Sequence, residues 1–232
     1  MPVAPLPVMS DYRLVVFDLD GTLYRQGPVR RAMLGELLYS GGAPGRLARL
    51  RLLRRFRALR EELALAQVPD FDSALFAQLA RETGRPEAEL RKLVRHWMEE
   101  RPLRHLAPAR VAGAAALFDR LRDRGVVLAV WSDYPVAGKL AALGLAADHL
   151  LAATDAEVGA LKPDPKGLHA VMARTGIAAR DTLMVGDRMT HDGAAAAAAG
   201  VDFLLRAKKP PQGLGPGQFY LRDYRPLVAQ AT

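Results

Sequence analysis

Short apolar segments alternate with helix-like segments along most of this chain, which limits it to a small set of folds. Six apolar runs predict buried strands: residues 13–18, 126–132, 150–153 and 182–185, and the runs VDFLL and FYL near the carboxyl end. Helix-like segments lie between them, at 109–124, 136–143, 165–175 and 193–199. This alternation is typical of βαβ units and a parallel sheet. We therefore predict an α/β fold whose ligands bind beyond the carboxyl ends of the strands.

A long stretch with little strand character, about residues 26–108, interrupts this pattern. One predicted helix in it carries an apolar stripe at helical spacing, made of Leu52, Phe56, Leu59 and Leu63. Two more helices are predicted at 72–83, with Asp72 as a possible N-cap, and at 86–100. The sequence thus predicts a helical insertion over 26–108 in a core formed by 1–25 and 109–232, with a loop at 208–217.

The basic charge of the chain is concentrated in this insertion. The formal net charge is +8, and seven arginines occur between Glu36 and Glu61 without an intervening acid: Arg46, Arg49, Arg51, Arg54, Arg55, Arg57 and Arg60. Because they lie outside the apolar stripe, we interpret them first as a solvated basic face. The alternatives are attraction of an anionic substrate and contact with nucleic acid. Aromatic residues are scarce among these arginines, which disfavours a nucleic-acid partner.

Composition excludes several classes of protein. The chain has no cysteine, which excludes disulfides, zinc–thiolate sites and a thiol nucleophile. The first residues lack the basic start of a signal peptide, and no apolar run approaches the roughly 20 residues that span a bilayer. We expect a cytoplasmic protein with no membrane partner, and the sequence does not indicate an oligomeric state.

Acidic residues occur where the predicted strands end. Asp18 and Asp20 flank Leu19 at the end of the first strand, and Asp187 follows the strand at 182–185, with Asp192 five residues later. Two carboxylates this close repel each other unless a cation lies between them or one is protonated. Mg²⁺, which prefers oxygen ligands, suits such a site.

Two further groups are predicted at the same edge of the sheet. Ser132 ends the strand at 126–132, and Lys162 precedes a proline at the start of a helix. Carboxylates, a hydroxyl and an ammonium together suit phosphoryl transfer, because the metal and the lysine neutralise charge while one aspartate attacks phosphorus in line. The second aspartate can protonate the leaving oxygen and then activate water.

Four segments, in this order, resemble the motifs of the haloacid dehalogenase-like (HAD) hydrolase superfamily. They are DLDGTL at 18–23, Ser132 after its apolar strand, KPDP at 162–165 and GDRMTHD at 186–192. The resemblance implies a Rossmann-like core, formed by 1–25 and 109–232, and an inserted helical cap of the C1 type over 26–108.

The resemblance also implies the roles of the residues that match these motifs. Asp18 would be the nucleophile that forms an aspartyl-phosphate, and a ligand of Mg²⁺. Asp20 would be the general acid and base, with its backbone carbonyl on the metal. Ser132 and Lys162 would bind the phosphate, and Lys162 would also stabilise the charge of Asp18.

The remaining motif residues would support these groups. Asp187 would be a metal ligand, and Asp192 would hold Lys162 or a metal-bound water. Thr22 and Gly21 would shape the turn after the nucleophile. Haloacid dehalogenases proper lack an acid at the position of Asp20, so phosphate chemistry is favoured over carbon–halogen cleavage.

The expected function is a Mg²⁺-dependent phosphatase that acts on a small phosphorylated metabolite. The alternatives are a phosphomutase acting on a sugar phosphate and a non-catalytic regulatory or binding protein on the same scaffold. The loop after Ser132 departs from the commoner family pattern, because Asp133 puts an acid beside the phosphate site. Tyr24 and Arg25 are candidates for contact with the leaving group because they lie close to the first motif.

Overall fold

A six-stranded parallel sheet forms the centre of the molecule. The computed structural model describes residues 6–39 and 43–230. The strands are β1 (Leu14–Phe17), β2 (Val127–Ser132), β3 (His149–Ala152), β4 (Thr182–Gly186), β5 (Asp202–Arg206) and β6 (Gln218–Leu221), and their spatial order is β3-β2-β1-β4-β5-β6. All five strand pairs are parallel. The predicted α/β fold with a Rossmann-like parallel sheet is confirmed.

The central position of β1 explains its sequence. All four of its residues are fully buried because helices cover both faces of the sheet. Val15 and Phe17 belong to one core cluster, and Leu14 and Val16 belong to another. A strand buried on both faces needs a continuous apolar run, and the run ends at Asp18, where the chain leaves the sheet.

Five helices pack around the sheet: α5 (Ala114–Asp123), α6 (Ala137–Ala142), α7 (Lys166–Thr175), α8 (Ala194–Ala199) and α9 (Arg225–Gln230). The helix predicted to start at Ala109 starts five residues later. Gly113, just before α5, has a left-handed φ of 83°, and a Cβ there would lie 2.7 Å from the backbone nitrogen of Arg225. This close approach requires glycine and delays the helix.

Helices fill the chain between β1 and β2. They are α1 (Gln26–Tyr39), α2 (Ala43–Leu65), α3 (Phe71–Thr83) and α4 (Glu87–Val94), followed by a wide helical turn over Arg95–Glu100 and tight turns over Arg101–His105 and Ala107–Ala109. The prediction that Asp72 caps a helix is wrong, because α3 already begins at Phe71. Asp72 lies in the first turn and pairs with Arg91 at 2.6 Å.

The predicted apolar stripe of α2 packs against α3 and α4. Leu52, Phe56 and Leu59 are buried in one cluster with residues of those two helices, and Leu63 lies partly buried at its edge. This cluster forms the interior of the helical part, and smaller contacts join it to the rest of the molecule: Ala64 and Phe71 share a cluster with Ala153 and Leu161.

The segment 208–217 is irregular, as predicted, and leads into β6. None of the helices in the described ranges has the length and apolar character that crossing a bilayer requires.

Candidate active site

The predicted site residues come together at the carboxyl edge of the sheet. Asp18 and Asp20 follow β1, Ser132 ends β2, and Asp187 follows β4. All of these residues line one cleft of about 660 Å³ between the sheet and the helical insertion. The parallel arrangement produces this convergence, because the ends of neighbouring parallel strands meet at one edge.

Lys162 lies at the centre of the buried charges. Its Nζ donates to Oδ1 of Asp18 at 2.7 Å, to Oδ1 of Asp192 at 2.8 Å and to the backbone oxygen of Trp131 at 3.1 Å. Only 1% of its side chain is exposed. Burial alone would lower the pKa of Lys162, but the carboxylates of Asp18 and Asp192 raise it, so the lysine stays charged. All three of its donors are therefore satisfied.

Three carboxylates form a group that can hold a cation. Oxygens of Asp18, Asp187 and Asp192 all lie within 4.8 Å of one another. Burial raises the pKa of Asp18 well above its usual range despite the charge of Lys162. Burial and the nearby Asp192 raise the pKa of Asp187 to about 6. One ammonium faces three carboxylates here, and a further cation close to them would favour their charged forms.

The carboxylate of Asp20 points to a different partner. Nζ of Lys139 lies 2.7 and 2.8 Å from its two oxygens, and Tyr24 and Ser132 also donate to it. Burial would raise the pKa of Asp20, but Lys139 and these hydrogen bonds lower it below its usual value. Asp192, and not the side chain of Asp20, therefore completes the acidic group with Asp18 and Asp187.

Lys139 is a site residue that the sequence analysis missed. It lies on α6, and its side chain is only 5% exposed. A single lysine in the short segment AGKLAA gives no periodic signal. One signal was available: Lys139 lies on a predicted core helix, and a lysine that is buried there needs an acidic partner.

The turn after Asp18 is fixed from several sides. Thr22 Oγ1 donates to Oδ2 of Asp18 at 2.8 Å. Gly21 has a φ of 105°, and a Cβ there would lie 1.9 Å from a carboxylate oxygen of Asp187, so only glycine fits. From the end of the chain, Arg206 donates to the backbone oxygen of Gly21 at 2.7 Å, and Tyr224 donates to that of Thr22 at 3.1 Å.

The unusual acid after Ser132 is paired. Oδ1 of Asp133 accepts the backbone N–H of Lys162 at 3.1 Å, and Oδ2 lies 3.8 Å from the guanidinium of Arg188. Its backbone oxygen accepts a hydrogen bond from Arg60 of α2. Asp133 thus joins the loop after β2 to the loop that carries Lys162 and to the helical insertion.

The other wall of the cleft changes the interpretation of the basic helix. Arg54, Arg57 and Arg60 line the cleft. A solvated face is the wrong interpretation for Arg60, which is buried, whereas Arg54 and Arg57 are exposed to the solvent of the cleft. Of the two residues near the first motif, Tyr24 lines the cleft, but its hydroxyl is bound to Asp20. Arg25 does not line the cleft and donates to the backbone oxygen of Pro108 at 3.4 Å.

Comparisons with known proteins agree with the four motifs. A family model described as haloacid dehalogenase-like hydrolase matches residues 12–200. The chain is 28% identical to a phosphoserine phosphatase from Thermus thermophilus, over 88% of this chain and 90% of that protein. It is 31% identical to a phosphoglycolate phosphatase from Rhodospirillum rubrum, over 88% of this chain and 84% of that protein.

Solved structures show the same fold. The HAD hydrolase YfnB from Bacillus subtilis, a structure bound to magnesium, matches with a TM-score of 0.66 at 20% identity, covering 94% of this chain and 97% of that one. The L-2-haloacid dehalogenase from Xanthobacter autotrophicus matches with a TM-score of 0.63 at 18% identity, covering 94% and 97%. The family match, which covers most of the chain, shows that this protein belongs to the haloacid dehalogenase-like hydrolases.

Proposed function

We propose that this chain is a Mg²⁺-dependent phosphatase that hydrolyses a small phosphorylated metabolite through an aspartyl-phosphate on Asp18. The observation that carries the proposal is the pair formed by Asp18 and Asp20. Asp18 forms an ion pair with the buried Lys162 and belongs to the acidic group, while Asp20 forms an ion pair with Lys139. Two adjacent carboxylates in different environments can serve as nucleophile and as acid and base.

The acidic group fits a magnesium ion. Its donors are carboxylate oxygens, which Mg²⁺ prefers, and the pKa of Asp18 and of Asp187 is raised mainly by burial. Asp18 and Asp187 would hold the ion together with the backbone carbonyl of Asp20, and Asp192 would stay on Lys162. When bound, the ion would neutralise charge on the nucleophile and on the phosphoryl group.

In the first half of the reaction, a carboxylate oxygen of Asp18 forms a bond to phosphorus as the bond to the leaving oxygen breaks. Lys162 keeps the Asp18 carboxylate oriented through its 2.7 Å contact and keeps a positive charge beside the phosphoryl group. The Ser132 hydroxyl, which lies at the end of β2, would donate to a phosphoryl oxygen. These fixed charges and donors stabilise the transition state without reorganising.

Asp20 would move the protons in both halves. It delivers one to the leaving oxygen, and it then takes one from the water that cleaves the aspartyl-phosphate. The ionised form that Lys139 favours is the form needed for the second step. The first step needs a protonated Asp20, so bound substrate would have to weaken the contact with Lys139.

We further propose that the helical insertion over 26–108 acts as a cap on the core formed by 1–25 and 109–232. It supplies one wall of the cleft, and its closure would exclude water and select the leaving group. A cytoplasmic location is consistent with this role.

Metal removal tests the proposal directly. Phosphate release from a panel of small phosphate monoesters should require Mg²⁺, stop when a chelator is added and return when excess Mg²⁺ is restored. The measurement is inorganic phosphate over time. If the wild-type protein releases no phosphate from any ester with Mg²⁺ present, the result would support a non-catalytic binding protein instead. Activation by a sugar bisphosphate without net release would favour the phosphomutase.

Asp20→Asn separates the acid–base role from the structural one. We expect turnover to fall by about 10²- to 10⁴-fold, with the thermal unfolding midpoint and Mg²⁺ binding largely kept. Asparagine retains an oxygen for Lys139, and the proposed metal contact is through the backbone. Calorimetric titration with Mg²⁺ and a melting curve check this. Full activity, or an unfolded variant, would contradict the proposed role.

A further inference from the structure

One face of α2 turns three arginines toward the cleft. Arg54, Arg57 and Arg60 are spaced three residues apart, which places them on one side of a helix, and all three line the cleft. Arg30 of α1 lines it as well. A second face of α2 carries the apolar stripe that packs on α3 and α4. The face toward the cleft therefore carries the arginines together with Leu53 and Glu61.

Most of the arginines that the structure describes in the cleft lack the carboxylate partner that a neighbouring arginine has. Arg55, one residue from Arg54, pairs with Glu62 at 2.8 Å and with Glu82 at 2.7 Å. Among the described residues, by contrast, no carboxylate lies within the 4.0 Å of an ion pair from Arg30, Arg54 or Arg57.

Arg57 has only a weak acceptor beside it. One of its N–H groups is directed at Sδ of Met98, at 3.4 Å, and a thioether sulfur is a poor acceptor. Desolvation in the cleft and the like charge of Arg30 lower the pKa of Arg57, while Tyr134 opposes this shift. An anion bound between these two guanidiniums would relieve both costs.

Arg60 is built into the wall of the same cleft. It is 8% exposed, and its guanidinium lies 4.4 Å from the ring centre of Tyr134 and 5.1 Å from that of Phe71. It donates to the backbone oxygen of Asp133, while its buried Nε has no partner in the described structure. A guanidinium fixed between two rings keeps its orientation, so it extends the positive wall at little entropic cost.

The acids of the active site do not neutralise this wall. The carboxylate of Asp18 is bound to Lys162, and that of Asp20 is bound to Lys139. Both lysines belong to the sheet side of the cleft. The transferred phosphoryl group and the metal would be held on that side.

On the insertion, Glu61 also lines the cleft but pairs with Arg188 and His191. Arg30 donates to Gln26, so Arg54 and Arg57 are the arginines left for another anion.

We propose that Arg54 and Arg57, assisted by Arg30 and Arg60, form a subsite for a second anionic group on the leaving group of the substrate. The inference rests on the proposed phosphatase function and narrows its substrate class to phosphate monoesters with a carboxylate or a second phosphate. Leu50 and Leu53 line the cleft beside the arginines, so a short hydrocarbon link between the two anions would pack there. A bidentate contact from arginine would hold either anion.

The test measures binding with phosphonates, which have a carbon–phosphorus bond and are not hydrolysed. Each probe set contains three alkyl phosphonates with the same number of methylenes, which end in a carboxylate, in a second phosphonate or in the neutral amide. Sets with two, three and four methylenes are compared. Calorimetric titration of the wild-type protein with Mg²⁺ should show at least one anionic probe binding about tenfold more tightly than the amide. The tighter of the two anionic probes identifies the second group.

Two variants test whether the arginines of the cleft cause the preference for anionic probes. The double variant Arg54→Gln/Arg57→Gln should reduce the preference to about twofold or less and leave binding of the amide within about twofold of wild type. Arg55→Gln is the matched control, because Arg55 neighbours Arg54 but pairs outward, and it should keep the wild-type preference. Equal binding of all three probes by the wild-type protein would overturn the subsite. Equal weakening of all three by the double variant would show that these arginines bind the phosphoryl group itself.

Rates of phosphate release distinguish a failure of the anion subsite from a failure of the proposed phosphatase function. The corresponding alkyl phosphates should show the same preference in kcat/KM, expressed through KM, and Arg55→Gln should keep the wild-type kcat for the amide. An anion preference in the phosphonates without release of phosphate from any ester would reject the phosphatase and keep the anion subsite. Release of phosphate without a preference would keep the phosphatase and reject the subsite.

Discussion

Replacing Asp18 by asparagine should lower phosphate release by roughly 10⁴-fold or more, because the amide cannot form the covalent intermediate. The fold should survive and the melting temperature should stay level or rise. Burial and the charges of Asp192 and Asp187 raise the pKa of Asp18, so removing its charge relieves repulsion within the acidic group. Initial rates with a generic phosphate ester and a melting curve measure the two effects.

Asp119→Asn is a suitable control for this substitution. Asp119 lies on α5, its side chain is 71% exposed, and it only pairs with Arg122 at 3.5 Å. The same chemical change there should leave the rate and the melting temperature close to wild type. A rate for Asp18→Asn within tenfold of wild type would mean that another group attacks the phosphate.

Lys162→Met should have the largest effect on stability. The lysine is fully buried between Asp18 and Asp192, and its removal leaves two carboxylates without their shared cation. Breaking a buried ion pair in this way costs about 3–5 kcal/mol, so denaturant unfolding should show a loss of this size without metal. Activity should also be lost, because nothing then orients Asp18.

Added Mg²⁺ should recover part of this loss in stability, since a cation that binds only the folded state stabilises it. Lys166→Met is the control. Lys166 lies four residues further on, its side chain is 59% exposed, and its nearest acid is Asp164 at 3.7 Å. That substitution should change the free energy of unfolding by no more than about 0.5 kcal/mol. A comparable loss in both variants would show that the buried charges do not stabilise the fold.

Local patterns in the sequence predict the core of this protein well. β1 is an uninterrupted apolar run because both faces of the strand are covered, and its end at Asp18 marks the edge where the acids gather. The motifs place Asp18, Lys162 and Asp187 near one another, and the coordinates bring them together. Periodicity also identifies the stripe of α2 that packs inside the insertion.

The periodicity of a sequence does not reveal which groups the polar face of a helix contacts. The arginines of α2 are off the apolar stripe, so the pattern alone assigns them to solvent. Arg60 is instead buried in the wall of the cleft, and Arg54 and Arg57 line the cleft beside it. Lys139 was missed for a similar reason: its partner Asp20 is 119 residues away in the chain. Such pairings depend on the packing of distant segments and leave no local signal.

The hydrogen bonds that hold the turn after Asp18 join the proposed catalytic groups to segments that are synthesised much later. Arg206 and Tyr224 hold the backbone of Gly21 and Thr22 across about 200 positions of sequence. A nascent polypeptide that ended before Arg206 would already contain every proposed chemical group, from the nucleophile to the last aspartate. It would nevertheless lack the two hydrogen bonds that hold the turn after Asp18, so we expect the proposed hydrolysis to begin only once the chain extends beyond Tyr224.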